Sequence, residues 1–422
     1  MVISVFEKIL DENNITRVLL IDPAFPIANK SRNHKDLLPV GLLKISTYLN
    51  KRGIKTKLVR LNKNNNEEFN KEIKKFNPNL VMITSVFTYW FNEVKEAVEY
   101  SQELLPGVKI IVGGILASLW KDMLEKEFKG VYIHKGLIKC AEHLPPDYSI
   151  LENGGKDINF QIIHSSRGCK RKCKFCGVHK FEEESYERSI KDELIEGKKN
   201  LVFYDNNLLA NPNIEDLLNE LIKLREDKKI SRCESQSGFD GRILNEKLAG
   251  LLKKANFKDP KIAWDGPYKT HGSREKEISI LKGAGYKPKE IAVFMLYNHD
   301  LDYSELEKKR ALCFEWGVQV SDCRFRPLNR FTDGYNPHKR SQGEDEYYVH
   351  DNWSDREVRQ FRRNVRRHNI CIRHNMQYHS RQAEIKKISK EDSMYIRNMT
   401  AEEAMATGII DDAWDPSEPY EI

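Results

Sequence analysis

The stretch Phe160-Gln-Ile-Ile-His-Ser-Ser166, followed by Gly168-Cys-Lys-Arg-Lys-Cys-Lys-Phe-Cys-Gly177, decides the organisation of this chain of 422 residues. Its first part is a short apolar run of the kind that forms a buried strand. Its second part places Cys169, Cys173 and Cys176 in a C-x3-C-x2-C arrangement directly after that strand. A loop this short can bring three thiolates to one face of a cubane cluster and leave the fourth iron open. The sequence therefore predicts a 4Fe–4S cluster with one iron available to a cofactor or substrate.

The segment that begins with this strand alternates strand candidates with helical patterns. The strand candidates are 161–166, 201–204, 232–236, 261–264, 291–296 and 317–326. Six strand–helix units predict a partial (β/α)6 barrel of the TIM type over residues 158–330. Such a barrel places its chemistry at the carboxyl ends of the strands.

The first 150 residues also alternate short apolar runs with helical patterns. Their strand candidates are 17–22, 55–61, 79–85 and 108–112. This order predicts a doubly wound, Rossmann-like parallel sheet. The predicted fold class is therefore α/β, with domains at 1–150 and 158–330 and a C-terminal extension at 331–422.

Bulk composition favours a cytoplasmic protein without membrane contact. Hydrophobic residues make up 40% of the chain and charged residues 32%, as in ordinary soluble proteins. No apolar run approaches the roughly 20 residues that span a bilayer. The first residues lack a secretory pattern. Five of the eight cysteines are scattered, which argues against a disulfide framework and for a reducing compartment.

The cysteine triplet, with Phe175 just before its last member, resembles the hallmark of the radical S-adenosylmethionine superfamily. The resemblance implies that S-adenosylmethionine chelates the open iron through its amino and carboxylate groups. One electron then cleaves the sulfonium to a 5′-deoxyadenosyl radical, which abstracts hydrogen from the substrate. It also implies a reductant protein of the flavodoxin or ferredoxin type. The alternative is a zinc site completed by His179 or a remote cysteine.

The same resemblance assigns further cofactor-binding residues. Asp205 and Asn206 follow the second strand and would bind the amino group of S-adenosylmethionine, although such a pair is also typical of a simple turn. Ser235 would reach the ribose or carboxylate, and Asp265 the ribose. Phe175 completes this cofactor-binding set.

The sixth strand candidate carries unusual charge. Period-two alternation predicts Asp322, Arg324 and Arg326 on one face, with Cys323 and Phe325 on the other. Charged residues in a barrel mouth would be catalytic residues for an anionic substrate. An internal salt-bridge cluster that closes the barrel is an equal alternative.

Residues 15–150, including Pro39-Val-Gly41, resemble the cobalamin-binding-type domain that precedes the radical core in one large subclass. The resemblance makes cobalamin a candidate cofactor and methylation a candidate reaction. Asp22-Pro-Ala-Phe-Pro26 does not supply the Asp-x-His-x-x-Gly signature, so cobalamin would bind base-off without a histidine ligand. No cysteine precedes Cys140, which disfavours the methylthiotransferase branch. A plain Rossmann-like domain is the alternative.

The C-terminal region is divided by charge. Residues 353–390 carry eleven basic and three acidic side chains, a net +8, whereas residues 391–422 carry nine acidic and one basic, a net −8. A helix from Asp355 to His368 is predicted, and the residues outside its apolar stripe are Arg356, Arg359, Arg363, Arg366 and Arg367. This pattern indicates nucleic-acid binding, either by a tRNA-modifying enzyme or by a non-catalytic metal-stabilised protein, or docking of the two halves.

Overall fold

The computed structural model describes residues 5–26, 37–61, 66–343 and 345–374. The chain forms two compact units. The first comprises Met1–Gln236 with Arg326–Asp333, and the second comprises Ser237–Phe325 with the described residues from Gly334 onward. The division falls inside the predicted barrel segment, between its third and fourth strands.

A five-stranded parallel sheet forms the core of the N-terminal part of the first unit. Its strands are β1 (Arg17–Asp22), β2 (Lys55–Arg60), β3 (Leu80–Ser85), β4 (Lys109–Gly114) and β5 (Tyr132–Ile133), in the order β2-β1-β3-β4-β5. The helices around it are α1 (Val5–Glu12), α2 (Val40–Lys51), α3 (Glu67–Phe76), α4 (Phe91–Leu104), α5 (Ile115–Leu119), α6 (Lys121–Glu127) and α7 (Lys139–Glu142). The predicted Rossmann-like parallel sheet is confirmed.

Burial on both faces explains why these strands are apolar throughout. Leu19 and Ile21 of β1 pack into one hydrophobic cluster, whereas Val18 and Leu20 pack into another. All four side chains are completely buried. A parallel sheet covered by helices on both sides requires such continuous apolar runs.

The first unit continues with a second, smaller sheet and a hairpin. The sheet contains β6 (Phe160–Ile163), β9 (Asn200–Phe203) and β10 (Arg232–Ser235) in the parallel order β10-β9-β6. The hairpin pairs β7 (Ser166–Arg167) with β8 (Ser185–Tyr186), and α8 (Ile214–Glu226) lies between β9 and β10. The cysteine triplet occupies the loop of this hairpin.

The second unit contains the remaining strands and helices of the series. Its parallel sheet is formed by β11 (Lys261–Ala263), β12 (Ala292–Tyr297) and β13 (Gln319–Arg324). The helices are α9 (Glu246–Lys254), α10 (His271–Gly283), α11 (Tyr303–Glu315) and α12 (Asp355–His374). All six predicted strands are present, in two three-stranded sheets, and closure into a barrel remains a prediction.

Helix α12 covers the open edge of β13. The side-chain amide of Asn369 accepts from the Val320 N–H at 2.8 Å and donates to the Val320 carbonyl at 2.6 Å. His368 Nε2 lies 2.7 Å from the Val318 carbonyl oxygen. These side chains satisfy backbone groups that another strand would otherwise pair. Among the described residues, every helix is too short or too polar to span a lipid bilayer.

Candidate functional site

A strained glycine fixes the start of the cysteine loop. Gly168 has a φ of +69°, and a Cβ there would lie 2.7 Å from the Glu183 carbonyl oxygen, so only glycine fits. The Gly168 N–H donates to the Glu182 carboxylate at 3.2 Å. The backbone that leads into Cys169 is therefore fixed by Glu182 and Glu183 on the other arm of the hairpin.

The three cysteines are half-buried, and none forms a disulfide. Burial raises the pKa of Cys176, a hydrogen bond with the Val178 backbone lowers it, and the charges of Cys173 and Cys169 raise it. Asn207 Nδ2 lies 3.8 Å from Cys169 Sγ. Within the described residues, no three His, Cys, Asp or Glu side chains are already gathered as metal ligands.

Asp205 is completely buried and holds the turn that enters the cysteine loop. Its carboxylate accepts hydrogen bonds from the Ser165 N–H at 3.2 Å, the Ser165 hydroxyl at 2.7 Å and the Ser166 hydroxyl at 2.6 Å. Burial raises the pKa of Asp205, and the two hydroxyl groups lower it. Because this carboxylate is completely buried and already accepts three hydrogen bonds, a direct contact with a cofactor is not favoured.

The neighbouring Asn206 is better placed to meet a ligand. Its Oδ1 is buried and has no hydrogen-bond partner among the described residues. Ser235, also in the predicted set, is buried in β10 beside Phe203 of β9. Phe175 is half-buried within the cysteine loop. Asn206 is therefore the predicted residue of this unit whose polar atom remains to be satisfied.

Asp265 lies in the second unit, on the loop after β11. The ammonium group of the fully buried Lys309 donates to the carbonyl oxygens of Trp264 at 2.7 Å and Gly266 at 3.0 Å, on either side of Asp265. Desolvation raises the pKa of Asp265, and the charge of Lys309 lowers it. Lys309 thus fixes the loop that carries Asp265, a role that the sequence did not reveal.

The register of β13 shows where its charged residues point. Asp322 lies beside Met295 of β12, and Arg324 lies beside Tyr297. Laterally paired residues share a sheet face. Met295 and Tyr297 are buried, and the Tyr297 ring centroid lies 5.1 Å from that of Phe361 on α12. Asp322 and Arg324 therefore face α12.

The charged residues on this face interact with α12 and with an aromatic ring. Burial raises the pKa of Asp322 to about 6, and Arg362 of α12 lowers it. The Arg324 guanidinium lies 4.5 Å from the Tyr335 ring centroid. Arg326 follows the end of β13, belongs to the first unit, and lies over the Tyr89 ring of that unit at 4.3 Å. The prediction that the three charged residues share one strand face is wrong for Arg326, and their catalytic role remains a prediction that these contacts do not favour.

Cys323 lies on the opposite face of β13, beside Leu296. Burial raises the pKa of Cys323 to about 12, and the charges of Asp322 and Asp265 raise it further. Its side chain is therefore a neutral thiol near pH 7.

A small cavity lies at the carboxyl edge of the N-terminal sheet. Its volume is about 130 Å³. Most of its wall is aliphatic, and its lining residues are Gly41, Leu42, Lys44, Ile45, Met82, Ile83, Thr84, Ile111, Gly113, Gly114, His134, Gly136, Leu137, Ile138, Ala141, Glu142 and Arg167. Arg167, two residues before Cys169, belongs to this wall. One cavity is thus bounded by both the N-terminal sheet and the cysteine hairpin.

A network of buried charges joins the same elements. Lys44 of α2 lies 3.6 Å from Glu142 and 3.5 Å from Glu193. Arg167 lies 2.6 Å from Glu142 and 3.8 Å from Glu182, the residue that holds Gly168. Buried charges must be paired in this way. These ion pairs therefore connect the cavity wall with the cysteine hairpin.

Glu193 makes stability depend on pH. Burial raises the pKa of Glu193 from 4.5 to about 7, and Lys44 opposes that shift. The folded state therefore holds this proton more tightly than the unfolded state. The free energy of unfolding consequently falls as the pH rises from 4.5 to about 7. We expect Glu193→Gln to reduce the pH dependence of the free energy of unfolding, measured by urea unfolding between pH 5 and pH 8. Glu196→Gln, at an exposed neighbour, should leave the slope unchanged. An unaltered slope in Glu193→Gln would contradict the assignment.

Half-buried aromatic rings cluster beyond β1 and β3. Phe87 and Tyr89 stack with centroids 5.1 Å apart, and Phe25 and Trp90 stack at 5.0 Å. Phe87 also meets Trp90 edge-on at 5.0 Å, and Arg326 lies over Tyr89. Phe87, Tyr89 and Trp90 are near neighbours in the chain, whereas Phe25 and Arg326 reach this cluster from distant positions. The rings give this edge of the sheet a largely apolar surface.

The predicted arginine-rich helix is present, but two of its arginines point inward. Arg359 is 4% exposed and Arg367 is 2% exposed. Arg366 is exposed and Arg363 is half-buried. The expectation that Arg359 and Arg367 lie outside the packed face is therefore wrong. The acidic residues 391–422, with which docking was considered, lie outside the described residues.

Comparison with known proteins identifies one part of the chain. Residues 32–136, about a quarter of the sequence, match the family model of the B12-binding domain. The match contains strands β2 to β5 and most of the cavity wall, and β1 precedes it. No curated protein matches the chain. The predicted cobalamin-binding-type domain is thereby confirmed.

Proposed function

We propose that this protein is a radical S-adenosylmethionine enzyme with a cobamide-binding N-terminal domain, which abstracts hydrogen from its substrate and methylates it. The observation that carries the proposal is the shared wall of the cavity. Arg167 belongs both to the cavity of the B12-binding domain and to the hairpin that presents the cysteine triplet.

The N-terminal residues fit a cobamide in two ways. A corrin is broad and largely apolar, which suits the aromatic cluster of Phe25, Phe87, Tyr89 and Trp90. The cavity is too small for a corrin, but a flat heterocyclic lower base matches its volume of about 130 Å³ and its aliphatic wall. The buried, unpartnered Nε2 of His134 supplies a polar contact there.

The cysteine hairpin fits an iron–sulfur cluster by its chemistry. Three soft thiols follow a rigid glycine turn, and Asn207 contacts the sulfur of Cys169. Asn206 presents a buried, unsatisfied oxygen, which suits the ammonium group of S-adenosylmethionine. When bound, the cluster would supply the electron that cleaves S-adenosylmethionine, and a methylcobamide would supply the methyl group.

The other residues of this unit would position these groups. Asp205 holds the turn before the hairpin through Ser165 and Ser166. Glu182 anchors Gly168 and pairs with Arg167. A reductant of the flavodoxin or ferredoxin type would deliver the electron. Precise positioning by such fixed groups is what lets an enzyme direct a reactive radical.

The test is anaerobic purification and reconstitution of the full chain. We expect bound iron and sulfide, the visible absorbance of a cluster, and release of 5′-deoxyadenosine from S-adenosylmethionine with a reductant. Single Cys169→Ala, Cys173→Ala and Cys176→Ala variants should lose all three signals, because each removes a ligand.

Cys140→Ala is the matched control and should retain all three signals. Zinc in place of iron, with no visible absorbance, would overturn the radical assignment in favour of the zinc alternative. Retention of iron and activity in any of the three triplet variants would also overturn it.

A further inference from the structure

His134 is the polar residue of the cavity whose role remains open. It follows β5 and lies beside Gly113, whose hypothetical Cβ would be 3.9 Å from the His134 Cβ. Its Nε2 is buried and has no hydrogen-bond partner among the described residues. A buried nitrogen of this kind costs free energy unless a ligand satisfies it.

The protonation state of His134 defines what that ligand must offer. Burial lowers the pKa of His134, a hydrogen bond with the Leu137 backbone raises it, and the charge of Lys121 lowers it. The ring is therefore neutral near pH 7. A hydrogen bond that raises the pKa of an imidazole is one that a ring N–H donates. Since Nε2 has no partner among the described residues, the donor to the Leu137 backbone is Nδ1, and Nε2 presents a lone pair. The cavity thus offers a hydrogen-bond acceptor.

We propose that His134 makes the cavity selective for cobamides whose lower base carries a hydrogen-bond donor, such as the exocyclic amine of adenine, over 5,6-dimethylbenzimidazole. The inference rests on the cobamide-binding part of the proposed function. An amino group would donate to Nε2, whereas dimethylbenzimidazole offers no donor and would leave Nε2 buried and unsatisfied. The aliphatic wall would pack against the flat ring in either case.

Binding of three corrinoids to the full-length protein tests the inference. Adeninylcobamide and cobalamin differ in the lower base, and cobinamide lacks it. Dissociation constants would be measured by equilibrium dialysis with detection of corrin absorbance. We expect adeninylcobamide to bind about tenfold more tightly than cobalamin, as one satisfied buried acceptor implies. Cobinamide should bind more weakly than both.

Two variants test whether His134 Nε2 is the hydrogen-bond acceptor that sets the preference. His134→Phe keeps a flat ring without the nitrogen, and we expect it to abolish the preference for adeninylcobamide. Ile138→Val changes another residue of the wall and should leave the preference intact. Cobinamide affinity equal to that of the unaltered protein shows that the domain of each variant is folded.

The outcomes separate the two levels of the proposal. If none of the three corrinoids binds, the cobamide-binding function itself fails. If cobamides bind but show no preference, or if His134→Phe retains the preference, the role of His134 is wrong while the proposed function stands. Cobinamide binding as tightly as the complete cobamides would show that the cavity does not take the base.

Discussion

Replacing Gly114 by alanine is expected to destabilise the N-terminal part of the first unit by about 3 kcal/mol. Gly114 ends β4 with φ of +103° and ψ of −163°, a region that residues with a side chain essentially never occupy. A Cβ at this position would lie 2.0 Å from the carbonyl oxygen of Ser85. That oxygen is backbone, so strands β3 and β4 would have to separate.

Ser85, whose backbone the added Cβ would displace, also connects the residues at the edge of the cavity. The Ser85 hydroxyl donates to the Gly113 carbonyl at 2.7 Å and accepts from the Ala117 N–H at 3.1 Å. We therefore expect Gly114→Ala to weaken cobamide binding together with stability. Urea unfolding and equilibrium dialysis would measure the two effects.

Gly113→Ala is the matched control, one residue away. The Gly113 backbone is not in the left-handed region. The nearest atom to an added Cβ would be the Cβ of His134, at 3.9 Å. We expect little loss of stability. Equal stability losses in the two variants would contradict the strain argument.

Replacing Arg359 by alanine is expected to destabilise the second unit by about 3 kcal/mol. The buried guanidinium donates to the Asp355 carboxylate at 2.8 Å, the Lys339 carbonyl at 2.7 Å and the Gln342 side-chain oxygen at 2.9 Å. It also donates to the Asn336 carbonyl at 3.0 Å. Removing it leaves these acceptors unsatisfied and frees the 336–342 segment from α12.

Arg366→Ala, on the exposed side of the same helix, should change the free energy of unfolding by less than about 0.5 kcal/mol. Thermal unfolding followed by circular dichroism would compare the two variants. Similar melting temperatures would show that Arg359 does not stabilise the fold. A strong loss of RNA affinity in a stably folded Arg359→Ala protein would instead restore the nucleic-acid interpretation.

Long apolar runs made most of the architecture predictable. The strand at Arg17–Asp22 lies where the sequence places it, because a strand covered on both faces must be apolar. The six strands of the later series are also present at their predicted positions, although β10 and β13 are largely polar. Strand β5 was missed, since the two residues Tyr132–Ile133 are too few for a periodic signal. Its position matters, because His134 follows it directly.

Side-chain roles were harder to predict, because they depend on contacts between distant parts of the chain. Residue type suggested that Asp205 meets a ligand, yet its partners are Ser165 and Ser166 on a neighbouring strand end. Helical periodicity placed Arg359 at the surface, but the segment that buries it lies about twenty residues earlier. Arg326 was expected to continue β13, which ends two residues before it. Local pattern predicts elements, whereas only tertiary structure assigns their partners.

The two hydrogen bonds between the Asn369 side-chain amide and the Val320 backbone limit how far this protein can be shortened. A fragment that stops before α12 would leave the outer strand of the second unit with free N–H and C=O groups, which recruit strands from other molecules. Such a fragment would self-associate and precipitate on expression even though every strand of its sheet was retained. Expression of the isolated core therefore needs the chain at least through Asn369.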